Sequence, residues 1–282
     1  MARFERKEIL ARLAEVSRSQ GAIIATSAGI GIAAKCQAYA GCDLILVDNA
    51  ARLRMAGYGS LGANFAYKNS TDMLYHQAED ILPLVPNTPV LAGITAAEPF
   101  HDLATVIRDM LQRGFSGICN SPTMGWNDPM NMKNLNKLGI GYATEVEMIR
   151  SAHAQDIFTM ALCFDEEEAT DMASAGADIV VAEIGLTAGG MIGAGTALAF
   201  EDAKARIQSI ADAAHAVNPD AIALCHGGIL STPEAVDKML NALSGVAGFL
   251  GGSATDRLPM ECGIVSTAKG FKNTRLYGFS GK

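Results

Sequence analysis

Three titratable residues stand where apolar runs end: Asp48 after "DLILV", Glu183 after "DIVVA" and His226 after "AIALC". Burial and neighbours set the pKa of a group in such a place, which is the usual circumstance of a residue that moves protons. Two carboxylates and a histidine can hold a divalent ion such as Mg²⁺ or Mn²⁺, or act as an acid/base set that activates water. Each also has a plainer role. Glu183 would pair with a buried arginine such as Arg54 or Arg257, His226 would be a satisfied core histidine, and Asp48 would orient Arg52 or Arg54. An unpaired buried acid is costly, and Gly227–Gly228 open the space beside His226, so Glu183 and His226 are read as functional. Asp165 reads as a helix cap.

Other chemistries have less support. Lys35, Lys204 and Lys238 fall in helical patterns and Lys133 and Lys137 in a loop, so no lysine ends a strand as a Schiff base would need. No serine carries a G-x-S-x-G elbow. The cysteines at 36, 42, 119, 163, 225 and 262 form no C-x-x-C pair, and Cys119, Cys163 and Cys225 sit within strand patterns as small core residues. Glycine-rich loops come late, "HGG" at 226–228 and "GGSATDR" at 251–257. The amides of Gly227, Gly228, Gly251, Gly252 and Ser253, with Arg54, are placed to hold a phosphate or carboxylate. "GLTAGGMIGAGT", after Glu183, has the composition of a lid that excludes water. "NSPTMGWNDPMNMKNLNKLGIGYA" is read as a long functional loop holding Trp126, or as one whose Met124, Met130 and Met132 pack on another subunit.

The elements that position these groups follow from periodicity. Strands are expected at 22–26, 44–48, 90–94, 117–120, 158–163, 179–184, 221–225 and 246–250, with amphipathic segments between them. Continuous apolar strands alternating with helices imply a parallel sheet covered by helices, and eight such pairs are the count of a (β/α)8 TIM barrel. The fold class is therefore α/β, one domain over 1–282, with an N-terminal helix within 1–20 capping the floor of a barrel at 21–273. Thr144 with Glu147 and Asp165 with Glu168 have capping-box spacing. Thr232 precedes Pro233 as an N-cap, and Gly41, Gly114 and Gly176 close helices. Gly29 and Gly31, spaced G-x-G-x-A, could suggest a dinucleotide site, but eight strands with late glycine loops argue for the barrel. In it they would turn the first loop and let a ligand approach.

With 49% hydrophobic residues, 18% charged and a net charge of −8, the 282-residue chain reads as globular, with no basic stripe for nucleic acid or an anionic membrane. Apolar runs are too short to span a bilayer, and "MARFERKEILARLAEVSRSQ" lacks the core of a signal peptide, so a cytoplasmic location is expected. A mean hydropathy of +0.19 and 13 methionines suggest subunit interfaces, hence a homo-oligomer.

"DLILVDNAARLRMAGYGSLG", "GFSGICNSPTMG", "GIGYATEVEMIRSAH", "AGADIVVAEIGLTAGG", "NPDAIALCHGGI" and "GVAGFLGGSATDRLPME" together resemble the phosphoenolpyruvate hydrolase-like TIM-barrel family. The module also resembles the C-terminal half of a plant virus-resistance protein. Asn49, Arg54, Asn120, Glu145, Glu147, His226 and Ser253 match the family pattern. Glu183 stands where the family more often has histidine, and Asp48 where it often has tyrosine. The acidic metal strand and cysteine-bearing loop of phosphonomutases are missing. The resemblance implies a barrel of the pyruvate kinase/phosphonomutase type, whose relatives act on phosphoenolpyruvate or 2-oxo acids with a divalent metal. The expectation is a metal-assisted hydrolase or lyase for a small anionic enol phosphate or 2-oxo acid. Asn49, Arg54, Asn120, Ser121 and the glycine-loop amides would hold substrate, Glu183 and Asp48 would bind Mg²⁺ or Mn²⁺ or activate water, and His226 would be the acid/base. The alternatives are C–C cleavage of a non-phosphorylated β-dicarbonyl compound and a non-catalytic binding module.

Overall fold

Each apolar run expected as a strand forms one. β1 (Ile23–Ser27), β2 (Leu44–Val47), β3 (Val90–Gly93), β4 (Gly117–Cys119), β5 (Phe158–Cys163), β6 (Ile179–Glu183), β7 (Ile222–His226) and β8 (Val246–Gly251) pair in chain order, all parallel, and β8 closes on β1. The architecture comes from a computed structural model that describes residues 3–65 and 67–275; the ends of the expected 1–282 domain, at 1–2 and 276–282, and position 66 lie outside the described residues. It is the expected (β/α)8 barrel. The helices are α1 (Arg6–Arg18), α2 (Gly31–Tyr39), α3 (Asn49–Met55), α4 (Ser70–Ile81), α5 (Leu103–Arg113), α6 (Pro129–Lys137), α7 (Tyr142–Ala154), α8 (Glu166–Ser174), α9 (Phe200–Val217), α10 (Pro233–Leu240) and α11 (Arg257–Lys272).

Strand alternation makes two layers of core. Ile23, Leu44, Leu91, Phe158, Met160, Val181 and Leu224 fill the barrel interior, with Ile9 and Leu13 of α1 packed beneath them. Their neighbours face outward against the helices. The position of α1 is fixed by pairs at the amino ends of strands. Arg6 Nη2 lies 2.7 Å from buried Asp178, next to β6, and the Phe4 amide donates to Ser116 Oγ at 3.1 Å, next to β4. This is the expected floor cap. Functional groups therefore belong at the opposite, carboxyl end.

Most helix signals hold. Asp165 accepts from the Glu168 amide at 2.9 Å, Thr232 caps α10 ahead of Pro233, and Gly41, Gly114 and Gly176 take φ of +86°, +115° and +90°. Thr144 does not cap. α7 begins at Tyr142, and Asn136 takes the Ala143 amide at 3.2 Å while the Thr144 hydroxyl bonds to Gly139 O. Two helices go beyond the expectation. Asp48 caps α3 by accepting from Ala51 N–H, and Asp128 caps α6 with proline at its first position, so Lys133 and Lys137 are helical and the long loop is partly a helix.

Gly29 and Gly31 serve packing, not ligand approach. A Cβ on Gly29 would lie 2.2 Å from Ala51 O of α3, and one on Gly31 would lie 2.7 Å from Leu84 and 2.9 Å from Asp80 O of α4. The eighth helix also departs from the barrel pattern: in α11 only Arg257 is buried, and Ile264, Val265 and Phe271 are exposed.

Candidate active site

The carboxyl ends of the strands enclose a cavity of about 60 Å³ that continues into a side pocket of about 230 Å³. Asp48, Arg54, Ser121, Glu183, His226, Gly252 and Ser253 line the cavity, together with Trp126, Thr187 and Leu186. The strands thus bring seven of the expected site residues together. Asn49, Asn120, Gly227, Gly228 and Gly251 lie outside it.

The strongest chemical feature is the pair at the ends of β6 and β7. Register places Glu183 beside His226, with Glu183 Oε2 3.2 Å from His226 Nε2. His226 Nδ1 meets the Leu250 carbonyl at 2.6 Å. A carbonyl only accepts, so Nδ1 carries hydrogen and Nε2 faces the carboxyl. The 3.2 Å contact between Nε2 and Oε2 is an ion pair when the imidazole carries a second proton. Burial pushes the Glu183 carboxyl above its ordinary value, with His226 and the Gly185 amide (2.9 Å from Oε1) pulling the other way. Glu183 is 2% exposed, while the His226 side chain is 18% exposed to the cavity. Glu183 pairs with neither Arg54 nor Arg257.

The glycines around it make room for this pair. Gly227 has φ +89°, and a Cβ there would lie 2.0 Å from Gly185 O and 2.5 Å from Glu183 Oε1. The Gly228 amide donates to Gly185 O at 2.7 Å. So the Gly228 amide is not free to cradle a phosphate, and close packing of the β6 and β7 loops demands these glycines. Gly251 is the last residue of β8, and a Cβ there would meet Thr255 at 2.2 Å. Gly252 is packed 2.9 Å from the His226 ring by the same measure. Its amide and that of Ser253 have no protein acceptor among the described residues, which leaves two donors for an anion.

Arg54 is less available than expected. Asp256 Oδ2 takes its Nε at 2.9 Å and Nη2 at 2.7 Å, Ser27 takes the other Nη2 hydrogen, and Ser60 Oγ lies 3.2 Å from Nη1. Of five N–H bonds, one on Nη1 is spare. Burial works against the guanidinium charge, but Asp256 and Asp48 outweigh it and hold its pKa above the ordinary value.

Asp48 is committed to position. Oδ1 accepts from Ala51 N–H at 2.7 Å, and Oδ2 bonds to the Ser121 hydroxyl, tying β2 to the loop after β4. Among the described residues no three His, Cys, Asp or Glu side chains gather as metal ligands. With both Asp48 oxygens and both Glu183 oxygens occupied, and β2 and β6 on opposite sides of the barrel, the donor set does not fit the Mg²⁺ or Mn²⁺ expected of this pair.

Asn120 works from behind the cavity with a residue whose role the sequence did not disclose. Glu145, fully buried on α7, accepts from Asn120 Nδ2 at 2.7 Å, Thr123 Oγ1 at 2.7 Å and Met124 N at 2.5 Å. Burial pushes its carboxyl up to about 8, against the pull of these donors. The signal was present: Tyr142, Glu145, Val146 and Ile149 have the spacing of one helix face, and an acid interrupts that apolar stripe. Glu145 holds the 120–124 loop, from which Ser121 and Thr123 reach the cavity; Trp126, just beyond, packs edge-on to Phe164 with centroids 4.7 Å apart. Asn49 faces away, into an apolar hollow with Leu53, Tyr58 and Phe65. Buried Cys119, Cys163 and Cys225 have thiol pKa values raised by burial, Cys225 to about 12, which removes them as nucleophiles.

A solved structure agrees with the barrel, and curated proteins match most of this chain. The ToMV susceptible protein tm-1(GCR26) and the ToMV resistance protein Tm-1(GCR237) of Solanum lycopersicum are 42% and 41% identical over 95% and 96% of this chain. The chain spans only 36% of either tomato protein's length. Among solved structures, phosphoenolpyruvate phosphomutase from Streptomyces platensis subsp. rosaceus superposes with a TM-score of 0.60 at 14% identity, covering 93% of this chain and 86% of that one, a likeness of fold alone. No helix among the described residues is long and apolar enough to cross a membrane. Residues 8–274 match the family described as phosphoenolpyruvate hydrolase-like, and the chain belongs to that family.

Proposed function

We propose that the chain is a hydrolase or lyase for a small anionic enol phosphate or 2-oxo acid, with Glu183 and His226 as its acid/base pair. The observation that carries this reading is the 3.2 Å Glu183–His226 contact, opening on the cavity that Gly252 and Ser253 line. In hydrolysis of an enol phosphate the dyad takes a proton from attacking water and returns one to the enol carbon as phosphate leaves. The two free amides and the spare Arg54 hydrogen hold the anionic oxygens where charge develops. Trp126 and the 185–196 loop exclude water. Proton transfer of this kind contributes about 10²–10⁴-fold.

The test is a thermal-shift titration with phosphoenolpyruvate, with and without Mg²⁺ or Mn²⁺, followed by a phosphate-release assay. A shift that persists in His226→Ala while phosphate release is lost supports the reading. Turnover of β-dicarbonyl compounds unaffected by inorganic phosphate would replace it with C–C cleavage. Ligand binding without turnover of any substrate in the intact protein would favour the binding module that the tomato relatives' names suggest. A shift that requires the metal would restore a metal role to Asp48 and Glu183.

A homo-oligomer belongs to the same reading. Exposed Ile264, Val265 and Phe271 on α11, and an apolar groove of about 300 Å³ beside Ile24, Val236, Leu240 and Phe249, favour contact between copies. Light scattering should give more than one chain per particle. The six free cysteines suit a cytoplasmic location.

A further inference from the structure

A side pocket adjoins the cavity, and Arg257 lies in its wall. Arg257 is 3% exposed, at the first position of α11. Its Nη1 is fully used, donating to Gly189 O at 3.1 Å and to Glu261 Oε1 at 3.0 Å. Nη2 is buried and has no partner. A buried donor on a charged group is rarely left unmade, because desolvating it without a bond is expensive. The rest of the lining is polar at Ser253, Thr187 and Ser60 and apolar at Leu186 and Ile192, the mixture found in ligand sites.

We propose that the side pocket is a second anion subsite, in which Arg257 Nη2 binds a carboxylate or phosphate at the far end of a substrate carrying two anionic groups. This rests on the reading of the main cavity as a substrate site. The reacting end lies between the Glu183–His226 dyad and the amides of Gly252 and Ser253. The chain runs past Ser60 and Thr187, which line both spaces. Planar guanidinium geometry suits this role, and the two bonds of Nη1 hold the group in place before any ligand arrives.

The subsite also connects to the glycine-rich loop. Glu261 Oε2 accepts from Met191 N–H at 2.8 Å, and a Cβ on Gly190 (φ +73°) would lie 2.3 Å from Arg257 Nη1. Only a glycine lets the loop come this close to the arginine. The ion that anchors the far end of the substrate therefore also anchors the loop above it.

The experiment compares dissociation constants by calorimetry for two-headed anions (malonate, succinate, phosphonoacetate) and one-headed anions (acetate, inorganic phosphate). In the intact protein the best two-headed anion should bind at least tenfold more tightly, about 1.4 kcal/mol. Arg257→Met should reduce that preference to within threefold while leaving one-headed anions unchanged. Arg257 also supports local structure, so Ala194→Glu, which places a carboxylate in the same pocket from the loop, serves as the second variant and should abolish the preference too. His226→Ala, which disables the proposed chemistry, should keep it. The proposal is overturned by an intact protein with no preference, or by a preference that survives both pocket variants. A preference in an intact protein that turns over neither an enol phosphate nor a 2-oxo acid would count against the enzymatic reading alone.

Discussion

Replacing Glu183 with glutamine separates the fold from the chemistry. The amide oxygen can still accept the Gly185 N–H now 2.9 Å from Oε1, and the amide nitrogen can donate to His226 Nε2 across the present 3.2 Å. The Gly185 hydrogen bond survives and a neutral contact replaces the pair with His226, so stability should change by less than about 1 kcal/mol. Above neutral pH the change should be favourable, because a buried carboxyl with a raised pKa is replaced by a group that never ionises. What is lost is the transferable proton, since an amide hydrogen does not move to substrate. Turnover should fall about 10²–10⁴-fold, or about 2.7–5.4 kcal/mol in the barrier. Glu183→Ala makes the contrast: it leaves both the Gly185 amide and His226 without partners and should cost about 2–4 kcal/mol of stability. Phosphate release from phosphoenolpyruvate and urea unfolding report the two quantities separately. A Glu183→Gln protein with its midpoint preserved and its rate within threefold of the parent would refute the dyad.

Two further outcomes follow from buried charges. Glu145 binds its proton more tightly folded than unfolded, with a native pKa of about 8. The native state therefore carries the extra proton between about pH 4.5 and 8, and stability should fall as pH rises through that window, by on the order of 3–5 kcal/mol at about 1.36 kcal/mol per unit. Urea midpoints across the range should show the decline, and Glu145→Gln should flatten it; an unchanged slope would remove Glu145 as its source. Arg54→Met leaves Asp256 buried without its cation and should destabilise by about 3–5 kcal/mol in the same assay, and a loss below 1 kcal/mol would mean that the pair is not sealed from water.

The barrel was legible because burial on both faces writes each strand as an apolar run, and because caps and glycines punctuate the helices. α3 and α6 were harder to see, since each is short and opens on an aspartate that also suits a loop. In the site, Asp48, Glu183 and His226 could be found from the ends of strands alone, and strand register put the last two side by side. The partners of Arg54 could not be found this way. Asp256 is 202 residues away, and only barrel closure brings it to the guanidinium. The same holds for the late glycines, whose sequence suits a phosphate cradle equally well. Only the position of Gly185 O and the Glu183 carboxyl shows that Gly227 and Gly228 serve packing.

Closure of β1 on β8 has a consequence for the chain as it is made. Ile23–Ser27 leaves the ribosome well before one of its two pairing partners, Val246–Gly251, has been synthesised. Until then the growing sheet has two bare edges, each a row of unpaired amides and carbonyls flanked by apolar side chains, open to pairing with other chains. The plug beneath waits as well, because Arg6 finds Asp178 only after 172 further residues have been added. Truncations before β8 should therefore aggregate instead of forming a shorter barrel, and a holdase that shields strand edges should raise the yield of the full chain more than one that promotes helix formation.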